Sequence, residues 1–388
     1  MRAGSKTEEP WRVGLLFSQS GPTAYIERTQ LNATLLAIEE INAGGGAGGR
    51  EMQPVIYDPA ATPEHFGRLA ERLLAEDRVP IIFGCYMSSS RKAILPVVER
   101  RNALLAYPAM YEGFEYSPNV IYTGAAPNQN SIPLARFLVR NFGKRIYLVG
   151  TRYVFPIESN RIMTTLVTEH RGEIVAERYV RLDSQRKEFE AIAADIRNKS
   201  PDVVFSTVVG EATALFHRAC HDAGLDARNM PIASLTTTEA EIALMGADLA
   251  AGHLTAATYF QSVPGKTNAD FVARYKARFG ADRSTNALAE SAYFQTLLIA
   301  KGLEIAGSAD PDLLRPALFE CVIDAPEGTV RLDGDNHHCY LWPRIGRAET
   351  TGQFTILQDA AYSIKPDPYL IGHRLDDWSP AVGAPVDG

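Results

Sequence analysis

Short aliphatic and β-branched runs alternate with helix-periodic segments almost without interruption from Val13 to Leu235, and this alternation limits the fold more than any other feature. Residues 13–17 read as a strand. Residues 29–41 read as a helix, with Leu31, Leu35, Ile38 and Ile41 spaced along one face. Strands at 53–57, 80–83 and 103–106 follow, separated by helices at 63–74 and 91–100. This β-α-β order requires right-handed crossovers and a parallel sheet covered on both faces. A second series runs as helix 131–141, strand 145–149, helix 157–171, strand 174–180, helix 187–198, strand 203–207, helix 213–223 and strand 232–235. Two consecutive doubly wound α/β units predict two lobes with a cleft between them, and 388 residues suit two domains of ordinary size.

Helices at 268–279, 284–305 and 311–318 most economically return to the first lobe, and the tail from Arg331 reads as hairpin-like strands at 339–342 and 355–358. The expected division is therefore 1–124 plus 260–330 for the N-terminal lobe and 125–259 plus 331–388 for the C-terminal lobe. No linker is rich in Pro, Gly or Ser, so several short crossings should serve as the hinge.

The chain is 46% apolar with a formal net charge of −7. That balance gives nucleic acid or an anionic membrane no electrostatic reason to bind it directly. No stretch approaches the ~20 apolar residues of a membrane-spanning helix. The segment 1–10 is charged, the apolar run 13–17 is too short for a signal-peptide core, and no cysteine precedes Cys85. Cys85, Cys220, Cys321 and Cys339 lack zinc or redox spacing. The expectation is a cytoplasmic protein.

The glycine run 44–49 contains a formal G-x-G-x-x-G, but it ends a helix and precedes a strand, the reverse of a dinucleotide loop. A helix stop and turn explains it, and no cofactor is expected. His217 and His221 are four apart, but two imidazoles do not make a metal site and Arg218 stands where a metalloprotease helix carries its acid. They read as a surface pair. His337-His338-Cys339 lacks a second ligand pair, so no metal is expected. No G-x-S-x-G elbow, phosphate-binding lysine loop or paired-carboxylate motif occurs.

The informative residues sit where strands end, because open α/β sheets bind ligands beyond the carboxyl ends of their strands. Four such places are rich in hydroxyls and aromatics: Gly84 to Lys92, Tyr107 to Tyr111, Gly150 to Pro156, and Thr236 to Glu239. Taken singly, Ser88 to Ser90 and Thr236 to Thr238 are explained as helix caps, and the tyrosines as loop packing. Two sets from each lobe at the ligand-facing edge suit a small, uncharged, hydrogen-bonding ligand. An amino-acid zwitterion would call for a dedicated carboxylate; Asp58, Glu112, Glu211 and Glu239 are available, and none is singled out.

These segments, in order and spacing, resemble the family of amide-sensing regulators of bacterial aliphatic amidase operons, whose nearest relatives are the urea-binding proteins of ABC transporters. The resemblance spans almost the whole chain. It rests on Gly14-Leu15-Leu16-Phe17-Ser18, Gly84-Cys85-Tyr86-Met87-Ser88, Arg91-Lys92, Tyr111-Glu112-Gly113-Phe114-Glu115-Tyr116-Ser117-Pro118-Asn119, and Ala126-Pro127-Asn128-Gln129-Asn130. Further along it rests on Ser206-Thr207-Val208-Val209-Gly210, Ser234-Leu235-Thr236-Thr237 and Leu375-Asp376-Asp377-Trp378.

The resemblance implies a type I periplasmic-binding-protein fold with two lobes, three crossovers and a ligand clamped between them. It implies amide contacts from Tyr86, Ser88, Tyr107, Tyr153 and Thr236, with Val209 in the wall. The family has Thr then Pro where this chain has Ala109 and Met110, and Tyr in place of Phe155, so the identity of the ligand is left open. The regulators are cytoplasmic and restrain an RNA-binding antiterminator until amide binds, whereas the urea-binding relatives are exported and feed a transporter. The absence of an export signal favours the regulator, with transporter solute capture as the alternative. An amidase would need an activated nucleophile; Cys85 is the only candidate near the site, and no histidine neighbours it in the strand-end motifs. A homo-oligomer is left open.

Overall fold

The computed structural model describes residues 9–371 of the chain, so the matching segment 375–378 lies outside the described residues. Its first half contains β1 (Trp11–Leu16), α1 (Ala24–Ala43), β2 (Met52–Tyr57), α2 (Pro63–Ala75), β3 (Ile81–Gly84), α3 (Ser88–Arg100), β4 (Leu104–Tyr107) and β5 (Val120–Tyr122). These strands form a parallel sheet in the order β2-β1-β3-β4-β5. Its central strands read as unbroken apolar runs (Ile81-Ile82-Phe83, Leu104-Leu105-Ala106) because helices cover both faces and every position is buried.

The second half continues with α4 (Pro127–Asn141), β6 (Arg145–Thr151), α5 (Val154–Glu169), β7 (Glu173–Val180), α6 (Arg186–Lys199), β8 (Val203–Thr207), α7 (Ala212–Asp222), β9 (Ile232–Ser234), α8 (Glu239–Met245), α9 (Ala247–Ala250) and β10 (Leu254–Ala257). Then come α10 (Lys266–Phe279), α11 (Ala287–Ala306), α12 (Pro311–Phe319), β11 (Val322–Ala325), β12 (Gly328–Leu332), β13 (Cys339–Tyr340), β14 (Arg344–Ala348) and β15 (Phe354–Asp359). The second sheet has the order β15-β14-β10-β9-β8-β6-β7, parallel except at β14 and β15.

In both sheets the strand order reverses beside the first strand of the unit, between β1 and β3 and between β6 and β8. The connections there leave on opposite faces and open a crevice at the carboxyl ends. Among the described residues the chain passes between the lobes three times: after β5, after β10, and between β13 and β14. Helices α11 and α12 pack on the first sheet, through Phe294, Leu298, Ile299, Leu314 and Leu318.

One expectation needs correction. Residues 331–341, expected in the second lobe, belong to the first: β12 and β13 pair with β11, and Leu332, Cys339 and Leu341 lie in the first core. The apolar side chains of this short meander are covered by α11 and α12, so the last crossing falls just before β14. The glycine run closes α1 and turns into β2: Gly46 has φ +81°, and a Cβ there would meet the Arg50 carbonyl at 2.2 Å.

Candidate functional site

At the end of β3, Gly84 lies so close to β1 that a Cβ would meet the Leu16 carbonyl at 2.5 Å, and Cys85 turns the chain with φ +72°. Helix α3 begins directly afterwards, which puts Ser88 in its first turn and Arg91 three residues on, on the same side. Arg91 is fully buried. Its guanidinium pairs with Glu112 at 2.7 Å and with Glu115 at 2.7 Å, and it lies over the rings of Tyr107 and Tyr111. Burial works against that charge, but Tyr107, Glu112 and Glu115 override it and hold the guanidinium above its ordinary range. Ser88 Oγ donates to Glu112 Oε2 at 2.5 Å and accepts from Arg91 at 3.2 Å. The Tyr107 hydroxyl donates to the Tyr86 carbonyl at 3.0 Å.

The second lobe supplies the opposite wall. Tyr153 is the extended residue preceding α5, and its ring lies 6.4 Å from that of the buried Phe155. The Val209 N–H donates to Thr151 Oγ1 at 3.1 Å, which ties the β8 loop to the end of β6. Thr236 Oγ1 donates to the Val208 carbonyl at 3.2 Å, so its lone pairs are what it presents elsewhere. Thr238 caps α8 in a box with Glu241, whose Oε2 accepts from both the Thr238 N–H and hydroxyl.

The lobes meet at these residues. Met110 and Tyr153 each pack against the apolar clusters of both lobes. The Tyr25 hydroxyl reaches across to Glu241 Oε1 at 2.7 Å, and Arg161 of α5 lies 5.0 Å above the Phe114 ring. Ala109 is fully buried, with its carbonyl pressed against Gly124 at the first crossing. A cavity of ≈ 20 Å³ remains beside the crossings, lined in part by Met110, Asn130, Leu235, Thr238, Ala256 and Ser291.

Burial pushes the phenols of Tyr86 and Tyr153 well above their ordinary range, and neighbouring phenols add to it, Tyr153 and Tyr107 acting on Tyr86 and Tyr107 on Tyr153. These phenols, like that of Tyr107, are therefore neutral. Among the described residues, the hydroxyls of Tyr86 and Tyr153 have no hydrogen-bond partner. Of the sequence-predicted set, Tyr86, Ser88, Tyr107, Ala109 and Met110 belong to the first lobe, at and beyond the ends of β3 and β4. Tyr153, Phe155, Val209 and Thr236 belong to the second lobe, beyond the ends of β6, β8 and β9.

Three contributors were not singled out from the sequence. Tyr25 follows the end of β1, and Glu112 is one of four available acids. Glu241 was marked in the sequence by Thr238-Glu239-Ala240-Glu241, a capping-box spacing. The histidine pair also needs correction. His217 is buried, its ring 4.9 Å from that of His253, while His221 is exposed beside Asp222. One face of α7 packs inward, so the two imidazoles have different surroundings. Among the described residues no group of three His, Cys, Asp or Glu side chains could hold a metal ion. Burial and the nearby Glu27 raise the Cys85 thiol well above its ordinary range, the reverse of what a nucleophile needs.

Among curated proteins, the chain is 26% identical over 330 residues to the leucine-, isoleucine-, valine-, threonine- and alanine-binding protein of Pseudomonas aeruginosa, covering 83% of this chain and 85% of that one. It is 24% identical to a Leu/Ile/Val-binding protein homolog of Brucella suis, with 84% of each covered. Among solved structures, an ABC-transporter solute-binding protein from Rhodopseudomonas palustris, in complex with 3,4-dihydroxybenzoic acid, superposes with a TM-score of 0.81 at 22% identity, covering 92% of this chain and 99% of that one. The isoleucine complex of a branched-chain amino-acid transporter substrate-binding protein from Streptococcus pneumoniae gives 0.79 at 17% identity, covering 92% and 100%. The two-lobed type I architecture is thus shared with these structures, and the relatives bind small molecules. Residues 11–374 match the family model for the periplasmic binding protein domain, and with its two lobes, switch-point cleft and shared architecture the chain belongs to that family of binding proteins, not to a family of enzymes.

Proposed function

We propose that this protein is a solute receptor that closes its lobes on a short neutral amide or urea-like molecule. The site would consist of Tyr86, Ser88, Tyr107, Tyr153 and Thr236 as polar contacts, with Ala109, Met110, Phe155 and Val209 as walls. One observation carries the reading: the charges at this cleft are already matched inside the protein. Arg91 is neutralised by Glu112 and Glu115, and Glu241 is engaged by Thr238 and Tyr25. Burial pushes the carboxyl of Glu239 up to about 8, so it carries a proton at neutral pH. Among the described residues the hydroxyls of Tyr86 and Tyr153 are neutral groups without partners, and so is Oε2 of the protonated Glu239. An amino acid or a benzoate, the ligands named for the relatives, would bring a charge against buried charges that are already paired, at a desolvation cost of several kcal/mol.

A ligand of four heavy atoms has a ceiling near ~6 kcal/mol, so its affinity should be no tighter than tens of micromolar. Titration calorimetry with acetamide, propionamide, butyramide and urea, beside leucine, isoleucine and benzoate, tests the reading. Heat from the amino acids alone would overturn it.

The transporter relatives support delivery of the bound solute to a membrane partner. The motif order at Gly84 to Ser88 and Tyr111 to Asn119 supports a second reading, in which the closed form releases an RNA-binding antiterminator in the cytoplasm. Co-purification with an antiterminator or with a permease, with and without acetamide, separates the two. A complex with the antiterminator that ignores every amide the chain binds would exclude the regulatory reading.

A further inference from the structure

The amide reading leaves open how a cleft of neutral hydroxyls tells an amide from molecules of the same shape. The geometry points to Glu112 as the residue that sets this specificity, by fixing Ser88 as a hydrogen-bond acceptor toward the ligand. The inference rests on the amide reading and concerns a residue that need not touch the ligand.

A serine hydroxyl has one hydrogen and can present either that hydrogen or its lone pairs. At Ser88 the hydrogen is committed: Oγ lies 2.5 Å from Glu112 Oε2. Glu112 is bound as a carboxylate, with its other oxygen 2.7 Å from Arg91, so it only accepts. Arg91 only donates, and it reaches Ser88 Oγ at 3.2 Å. The neighbouring Tyr107 hydroxyl is also committed, to the Tyr86 carbonyl at 3.0 Å. Ser88 and Tyr107 therefore offer lone pairs alone. The hydroxyls of Tyr86 and Tyr153 are uncommitted and can donate. A primary amide matches both halves, its N–H₂ on Ser88 and its C=O on the free phenols. A carboxylate of the same shape would set oxygen lone pairs against Ser88 with Glu112 behind it, and a ketone would leave the acceptor unmatched.

The test uses three isosteric probes (acetamide, acetone and acetate) titrated against the full chain. Wild type should prefer acetamide over each of the others by at least about 10-fold, the cost of leaving one buried acceptor unpaired. In Glu112→Gln the side chain has one orientation compatible with Arg91, oxygen toward the guanidinium, which turns its N–H₂ toward Ser88. The serine hydrogen is then released into the cleft, and the acetamide-to-acetate preference should fall by at least about 10-fold. Glu115→Gln removes the same charge from Arg91 without contacting Ser88, and should leave that preference within about 3-fold, the scale of a change near no ligand contact. Ser88→Ala provides a second route should Glu112→Gln not fold: acetamide should lose its advantage over acetone. An unmoved preference in Glu112→Gln or Ser88→Ala overturns the inference, as does an equal shift in Glu115→Gln. Equal binding of acetamide and acetone by wild type overturns it while leaving the amide reading intact. Silence toward every amide, with leucine bound, overturns both.

Discussion

Removing the Tyr25 hydroxyl tests whether closure of the lobes is coupled to affinity. Tyr25 leaves α1 of the first lobe and donates to Glu241 of the second at 2.7 Å, and the two residues are 216 apart in sequence. The bond can exist only when the lobes are together. A buried hydrogen bond to a charged acceptor contributes about 1.5–3 kcal/mol. Glu241 keeps two further donors from Thr238, so truncation strands no carboxylate, and about 1–2 kcal/mol is the expected loss for Tyr25→Phe. That loss falls on the closed state alone, because in the open state both groups bond to water. Since a ligand draws on closure for part of its affinity, the Kd for acetamide should rise by about 5–30-fold. Calorimetry gives the Kd, and small-angle scattering with and without ligand gives the open fraction. An affinity within about twofold of wild type would show that the latch does not bias closure and would refute the coupling argument.

Ser88→Ala and Tyr153→Phe should each weaken acetamide binding by about 1–2 kcal/mol, measured by the same titration, because each deletes a partner in a desolvated site. Arg91→Ala strands Glu112 and Glu115 in the interior and should lower the unfolding free energy by about 3–5 kcal/mol; an unchanged urea midpoint would argue against a buried pair. Burial pushes the imidazole of His217 down to about 4, against roughly 6.5 when unfolded. The unfolded chain then binds the proton that the folded chain refuses, so His217 costs stability as pH falls from about 6.5 towards 4. His217→Gln should flatten the Tm profile in that window. Glu239 acts with the opposite sign: its carboxyl, raised to about 8, keeps a proton that the unfolded chain releases above about 4.3, so stability drains away as pH rises to 8, and Glu239→Gln should remove that slope.

By itself the sequence determined the fold class and the sheet edge that carries the candidate site, because both rest on local signals. Apolar runs such as Ile81 to Phe83 can be buried on two faces only in a covered parallel sheet, and their alternation with amphipathic helices dictates crossovers. Once that is known, the residues just beyond each strand, including Ser88, Tyr107, Tyr153 and Thr236, must line the open edge. What escaped was set by partners far along the chain. β10 (Leu254-Thr255-Ala256-Ala257) and β14 (Arg344-Ile345-Gly346-Arg347-Ala348) have weak strand propensity and extend the second sheet because a neighbouring ladder supplies their hydrogen bonds. Residues 331–341 joined the first core because its helices had apolar surface for them to cover. Arg91 stands in the sequence only as the start of a helix, and it is fully buried because Glu112 and Glu115 arrive from a separate loop to neutralise it. The same holds for the cleft as a whole. Residue types named its hydroxyls, but which hydrogens are committed, and hence which groups donate and which accept, was decided only when the tertiary structure set Glu112 behind Ser88 and Glu241 opposite Tyr25.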